Sequence, residues 1–138
     1  MDHNKAMQYL KANGYTCVLW RGEESTSSRE RGVRPLLTLL DSGKSYAGFC
    51  AADKVVGRAT AFLYCLLQVR SVHAGVLSDS AAQILEANGI AYTWSTRVPG
   101  IRNRTDTGPC PMEQATQNIT EPTEALIAIR TRLKELMG

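Results

Sequence analysis

The sequence predicts an α/β protein with a mixed sheet, in which an N-terminal hairpin is followed by parallel strands flanked by helices. Segments rich in β-branched and aromatic residues alternate with segments whose apolar residues recur at helical spacing. A strand, a helix and another strand follow one another over residues 72–94, an order that implies parallel neighbours joined by a right-handed crossover. The 138 residues, 43% hydrophobic and 21% charged, match one ordinary domain spanning 1–138.

The first elements are predicted from caps and side-chain type. Asp2 can cap a helix that leaves through Asn13-Gly14, where glycine supplies the left-handed exit. Residues 15–20 are β-branched and aromatic and predict a strand, and residues 21–24 are typical of a turn. The polar segment 25–30 then predicts a second hairpin strand on the solvent side.

Two helices are predicted next. Pro35 fits the first turn of a short leucine-rich helix that closes at residues 41–43. The strongest helical pattern covers residues 51–67, because its apolar residues recur at steps of three and four. We expect this helix to be the buried core of the protein, with Asp53 in its first turn.

The remaining elements alternate between strand and helix. Residues 72–77 predict a short buried strand, and Ser78 with its neighbours can cap a helix over residues 81–87. Residues 90–94 predict the next strand. A helical turn is expected after Pro111, and the apolar spacing of residues 121–137 predicts a final amphipathic helix.

Composition excludes several classes of protein. The net charge of +3 is small and basic residues alternate with acidic ones, so no nucleic-acid-binding stripe is indicated. Apolar runs fall short of the roughly 20 residues of a membrane span, and the first residues lack the apolar core of a secretion signal. We therefore expect a cytoplasmic protein. Its four scattered cysteines form no Cys-x-x-Cys pair and predict no disulfide framework.

The segment 103–113 is the predicted functional centre. It combines an amide, an arginine, a thiol and carboxylates in a loop, where binding and catalytic groups concentrate. Cys110 can be a nucleophile, a metal ligand or a buried small side chain, and Arg104 can stabilise its thiolate. If Pro111 starts a helix, Glu113 shares a face with Cys110.

Three short sequence motifs carry a family resemblance. They are Arg31-Gly32-Val33-Arg34-Pro35-Leu36-Leu37, Ala51-Ala52-Asp53-Lys54-Val55-Val56-Gly57, and Asn103-Arg104-Thr105 followed by Cys110-Pro111-Met112-Glu113. With them, the chain resembles the prokaryotic domain-of-unknown-function family 1893, whose members have a cytidine-deaminase-like fold. The resemblance implies a three-layer architecture of that type.

The same resemblance implies an incomplete zinc site. A zinc deaminase needs His or Cys, one residue, then Glu at a helix start, and later Pro-Cys-x-x-Cys. Ala51-Ala52-Asp53 takes the place of the first motif, and alanine cannot bind a metal. By residue type, the second motif matches residues 109–113. The order of the predicted strands and helices, which we prefer as the guide, places it instead at residues 78–82.

The candidate site residues follow from these placements. Asp53 is the expected general acid or base, unless it only complements the helix dipole. Lys54 is a further candidate catalytic residue, although a lysine in that position is usually solvated. Cys110 is the expected nucleophile or ligand and Glu113 the second carboxylate. The residues assigned to substrate binding are Arg31, Arg34, Ser78, Asp79, Asn103, Arg104 and Thr105.

Arg31 and Arg34 have two readings. Their guanidinium groups can hold a phosphate or carboxylate, or they can form ordinary surface salt bridges.

Two functions compete at this stage. The first is a hydrolase or transferase acting on a nucleotide-like or other polar metabolite, distinct from a standard zinc cytidine deaminase. The alternative is a non-catalytic ligand-binding or protein-interaction module on a deaminase scaffold, with the last helix available for a homodimer. No cofactor is predicted, but Asp53, Cys110 and Glu113, with His73 as a further candidate, could supply ligands for a divalent metal.

Overall fold

The computed structural model describes residues 2–103 and 108–137. Within these ranges the elements, in chain order, are α1 (Asp2–Asn13), β1 (Cys17–Arg21), β2 (Glu24–Ser28), α2 (Arg34–Asp41), β3 (Cys50–Val56), α3 (Arg58–Leu67), β4 (Ser71–Ser78), α4 (Asp79–Ala87), β5 (Ala91–Val98), α5 (Pro111–Thr116) and α6 (Pro122–Met137). The α/β class and the helix-flanked mixed sheet expected from the sequence are confirmed.

The five strands form one sheet in the order β2-β1-β3-β4-β5. β1 pairs antiparallel with both β2 and β3, whereas β3, β4 and β5 run parallel to one another. Because β1 and β3 are antiparallel, the beginning of β1 lies beside the end of β3, and Cys17 is paired with Asp53. The candidate site lies at this end of the strands.

Helices cover both faces of the sheet. On one face, Ala6 and Leu10 of α1 pack against Val18 and Ala52. The other face is covered by the larger cluster, in which residues of α2, α3 and α4 pack against the sheet and Ala125 and Ile129 of α6 join them. The central strands are therefore buried from both sides.

The prediction of one long helix over residues 51–67 is wrong. Its first part is strand β3, and only the part after Gly57 is helix α3. Ala51 and Ala52 point to opposite faces of the sheet and both are 0% exposed, so a central strand needs apolar side chains at consecutive positions. Such a run has the same composition as a buried helix, and its spacing does not separate the two. Asp53 consequently lies in a strand and not in the first turn of a helix.

Two exposed apolar regions complete the description. Trp94 is 43% exposed on the edge strand β5. α6 buries Ala125 and Ile129 against the core of its own chain, while Ile127 is 69% exposed. Among the described residues, no helix has both the length and the apolar character needed to cross a membrane.

His3 of α1 and His73 of β4 meet at the Thr93 hydroxyl of the edge strand β5, and His3 thereby ties α1 to the sheet. His3 Nδ1 lies 2.9 Å from Ser71 Oγ and its Nε2 lies 2.9 Å from Thr93 Oγ1. His73 Nδ1 lies 2.8 Å from the same Thr93 hydroxyl, and the two imidazole rings meet edge to face. Burial lowers the pKa of both histidines, and the charge of His3 lowers that of His73 further. Both rings are therefore neutral in the folded protein near neutral pH.

These two histidines predict a loss of stability on acidification. Unfolded imidazoles take up protons below about pH 6.5, whereas the folded ones resist protonation because their pKa is lowered. Their contribution is present above that pH and is lost as the pH falls. The free-energy gap between wild type and His3→Gln should therefore narrow between about pH 7.5 and about pH 5 in urea unfolding.

Lys5→Gln, an exposed change on the same helix, is the control and should show a constant gap over that range. A His3→Gln gap that stays equally constant would contradict the role of the imidazoles.

Candidate functional site

A cavity of about 860 Å³ lies at the end of the sheet where β1 begins and β3 ends. Its walls come from the start of α2, the last residues of β3, the start of α3, the segments 101–103 and 110–113, and the end of α6. The volume falls in the range of natural small-molecule sites, which also tend to lie beyond the carboxyl ends of parallel strands.

Asp53 is the buried carboxyl in the wall of this cavity. It is the last β3 residue paired with β1, and the backbone N–H of Lys54 donates to the Thr16 carbonyl oxygen at 2.9 Å. The carboxyl group then faces α3, where the Tyr64 hydroxyl donates to its Oδ2 at 2.7 Å. The Val55 N–H donates to Oδ1 at 3.3 Å.

Burial raises the pKa of Asp53 to about 7, although hydrogen bonds from Tyr64 and from the backbone of Val55 and Lys54 favour the ionised form. The group therefore titrates near neutral pH, the range in which a carboxyl can both give and take a proton. This property depends on the buried position of Asp53 in β3.

Cys17 and Tyr64 are neighbours of Asp53 that the sequence did not indicate. The Cys17 Sγ lies 3.3 Å from the Tyr64 Oη, and both side chains are buried. Burial raises the pKa of the Cys17 thiol and of the Tyr64 hydroxyl, and the nearby Asp53 carboxylate adds to both shifts. Both groups are therefore protonated at neutral pH and act as hydrogen-bond donors.

Glu113 reaches back from α5 to the start of α3. Its Oε1 accepts a hydrogen bond from the Arg58 backbone N–H at 2.7 Å, where Gly57 offers no side chain to cap the helix. Burial raises the pKa of Glu113, while the bond from Arg58 and the charge of its guanidinium oppose the shift. The second carboxylate of the site is therefore engaged as a helix cap.

Arg58 fixes the other end of α5. Its guanidinium donates to the carbonyl oxygens of Thr116 at 2.9 Å and Ile119 at 2.6 Å. The backbone and the side chain of one residue thus hold both ends of α5 against the start of α3.

Cys110 precedes α5 and is half-buried in the wall of the cavity. Its backbone N–H donates to the Ile101 carbonyl oxygen at 2.9 Å. The exposed Lys54 lines the same cavity. The structure therefore places the four expected catalytic residues, Asp53, Lys54, Cys110 and Glu113, around one space.

The expected substrate-binding residues divide into three groups. Arg31, Arg34 and Asn103 line the cavity, together with Arg102, which the sequence did not indicate. Arg104 and Thr105 lie outside the described residues.

Ser78 and Asp79 form the third group, which the structure does not bring to the cavity. Ser78 is fully buried and accepts a hydrogen bond from the Ala81 N–H as the cap of α4, at 3.1 Å. Asp79 is exposed and forms an ion pair with Arg97. Their placement from element order was wrong because the long helix that set that order is partly strand.

The expected metal ligands are not all together. His73 faces α1, on the opposite side of the sheet from Asp53, so it cannot join Asp53, Cys110 and Glu113. Over residues 2–103 and 108–137, no three side chains of His, Cys, Asp or Glu are grouped as a metal site requires.

Comparison with known proteins identifies one family. The family model described as TM1506, domain of unknown function (DUF1893), matches residues 5–133. The crystal structure of a DUF1893 family protein (TM1506) from Thermotoga maritima superposes with a TM-score of 0.86 and 20% sequence identity, covering 94% of this chain and 88% of the other. That likeness extends to the fold alone. None of the curated protein sequences compared with this chain is similar to it.

Gly57 should be sensitive to substitution because of Glu113 and not because of its backbone angles. A Cβ atom at this position would overlap Glu113 Oε1 and lie 2.9 Å from Ile101 Cγ1. Gly57→Ala should therefore cost roughly 1–3 kcal/mol in urea unfolding, as expected for overpacking. In a Glu113→Ala background the cost should be smaller by at least about 0.5 kcal/mol. Equal costs in the two backgrounds would show that Glu113 does not occupy this position.

Asp53 should make the protein less stable as the pH rises. Its pKa is raised from the ordinary 3.8 to about 7, so the folded state holds a proton that the unfolded state has released. Stability should fall between about pH 4 and about pH 7 by on the order of 4 kcal/mol relative to Asp53→Asn. Asp41→Asn, which alters an exposed carboxylate paired with Arg130, is the control and should keep the fall. An identical pH dependence of wild type and Asp53→Asn would refute the assignment.

Proposed function

Because the chain belongs to the DUF1893 family, a membership that assigns no activity, we propose its function from the cavity. The protein binds a small polar metabolite that carries an anionic group, and Asp53 exchanges a proton with that molecule. The observation that carries this proposal is the position of the Asp53 carboxyl, which is buried in the wall of a cavity of about 860 Å³. This burial raises its pKa to about 7.

The charges around the cavity support an anionic ligand. Arg31, Arg34, Lys54 and Arg102 all line it. Three acidic residues also lie in the wall: Glu30 is exposed, Glu113 caps α3, and burial raises the pKa of Asp53 to about 7, which reduces its negative charge at neutral pH. The cavity therefore favours a phosphate or carboxylate group near the arginines.

The scaffold supports a relation to cytidine-deaminase-like proteins without their zinc chemistry. The chain has a hairpin, a helix and then alternating parallel strands and helices, and this element order supports the relation. The two helix starts that open on the cavity read Val33-Arg34-Pro35 and Gly57-Arg58-Ala59-Thr60. Neither sequence contains the His, Cys or Glu side chains that a zinc deaminase needs. We therefore propose a deaminase-like scaffold whose site works through Asp53.

Asp53 has a defined task in this proposal. In its protonated form it donates to an electronegative atom of the ligand, and in its ionised form it accepts a proton from the ligand or a water. Cys110 and Thr60 lie in the same wall and provide a thiol and a hydroxyl for further contacts.

A second candidate is binding without turnover. It is favoured by the engagement of Glu113 with the Arg58 N–H, which leaves Asp53 as the buried carboxyl of the wall for acid–base chemistry, besides the exposed Glu30. The two candidates differ in one result. Asp53→Asn should abolish turnover in an enzyme, whereas a binding module has no turnover to lose.

Ligand binding through the arginines can be tested with a defined set of anions. We expect at least one of inorganic phosphate, pyrophosphate, the nucleoside monophosphates and small dicarboxylates to raise the unfolding temperature of the wild type. The double variant Arg31→Ala/Arg34→Ala should weaken that binding by about tenfold or more, because charge-assisted hydrogen bonds contribute about 1.5–3 kcal/mol.

Arg70→Ala is the matched control, since Arg70 is exposed and does not line the cavity. It should bind the same anion as the wild type does. The proposal is contradicted if no anion in the set stabilises the protein, or if Arg70→Ala weakens binding as much as the double variant.

A further inference from the structure

We propose that Tyr64 is the positioning residue of this site: it holds and orients the Asp53 carboxyl from outside the cavity, and Cys17 in turn orients Tyr64. The functional role of this arrangement rests on the proposed function, whereas its hydrogen bonds do not depend on that proposal. Tyr64 is fully buried and is not part of the cavity wall, so it acts on a ligand only through Asp53.

The hydrogens of the three groups determine the direction of the bonds. The Tyr64 hydroxyl has one hydrogen, and it donates that hydrogen to Asp53 Oδ2 at 2.7 Å. The Tyr64 oxygen is then an acceptor for the Cys17 thiol, whose Sγ lies 3.3 Å away. A chain of donors thus runs from Cys17 through Tyr64 to the carboxylate.

Three separate elements build this chain. Asp53 lies on β3, Cys17 faces it across the antiparallel pair with β1, and Tyr64 comes from α3. Because all three side chains are buried, none is free to rotate into solvent. The carboxyl group is consequently fixed between two donors, with Oδ2 towards Tyr64 and Oδ1 towards the Val55 N–H.

The bond from Tyr64 sets the protonation of Asp53. Burial alone favours the neutral acid, and the Tyr64 hydroxyl favours the carboxylate. Without this donor, Asp53 would stay protonated to higher pH and would lose its ability to accept a proton near neutrality. Tyr64 therefore keeps a buried carboxyl available for exchange.

The test is the pH profile of stability, which requires no ligand. In the wild type, the part of the profile that is absent from Asp53→Asn should level off as the pH rises through about 7, because above this pH the carboxyl is ionised in the folded and the unfolded state. In Tyr64→Phe that point should move upward by about one pH unit, because a donor to the charged form is lost. Tyr46→Phe is the matched control, since Tyr46 is a buried tyrosine that packs on Phe49 away from the cavity, and it should leave the point unchanged.

A second pair of variants tests Cys17 and covers the case in which Tyr64→Phe does not fold. Cys17→Ala removes the donor to Tyr64 and should shift the same point upward, whereas Cys17→Ser retains a donor and should not. Equal profiles for Tyr64→Phe and Tyr46→Phe, or for Cys17→Ala and Cys17→Ser, would overturn the proposal.

Failure of this inference and failure of the proposed function can be told apart. If the pH profiles shift as expected and no anion binds, the positioning role stands and the binding function falls. If an anion binds through Arg31 and Arg34 but the profiles do not move, the binding function stands and the role of Tyr64 falls.

Discussion

The burial of one carboxyl group is the constraint on which this site depends. Asp53 lies at the point where β1 stops pairing with β3, so the sheet covers one side of it and α3 covers the other. Hydrogen bonds from Tyr64 and from the backbone of Val55 and Lys54 stabilise its charge there. The protein accepts a destabilising group in its interior, and the result is an acid that titrates near neutral pH at the wall of a cavity.

The end of the chain is joined to this edge of the sheet by a second carboxyl group. Glu113 caps α3 where Gly57 leaves room for it, and the Arg58 side chain holds the far end of α5. These bonds bring Cys110 and Met112 into the cavity wall beside residues that precede them by more than fifty positions. The same residues that close the fold therefore shape the site, and Glu113 has an evident structural task there.

The sequence predicted most of the fold because caps, glycines and polar turns mark the ends of α1, the hairpin, α2 and α4. It failed at residues 51–67, where a strand buried on both faces has the apolar run of a helix and Gly57 alone separates the two elements. The chemistry of their side chains and the family resemblance of the surrounding motifs indicated Asp53, Cys110 and Glu113. Tyr64 and Cys17 carried no local signal, because their importance arises from the register between β1 and β3 and from the face that α3 presents.

The proposed site requires that the Asp53 carboxyl group change its protonation near neutral pH in the folded protein. The most direct measurement is the carboxyl carbon shift of Asp53 in protein labelled with ¹³C-aspartate, followed by NMR against pH and assigned by its loss in Asp53→Asn. This resonance should titrate with a pKa of about 7. A resonance that titrates near the ordinary 3.8 would contradict this assignment, because Asp53 would then be fully ionised at neutral pH.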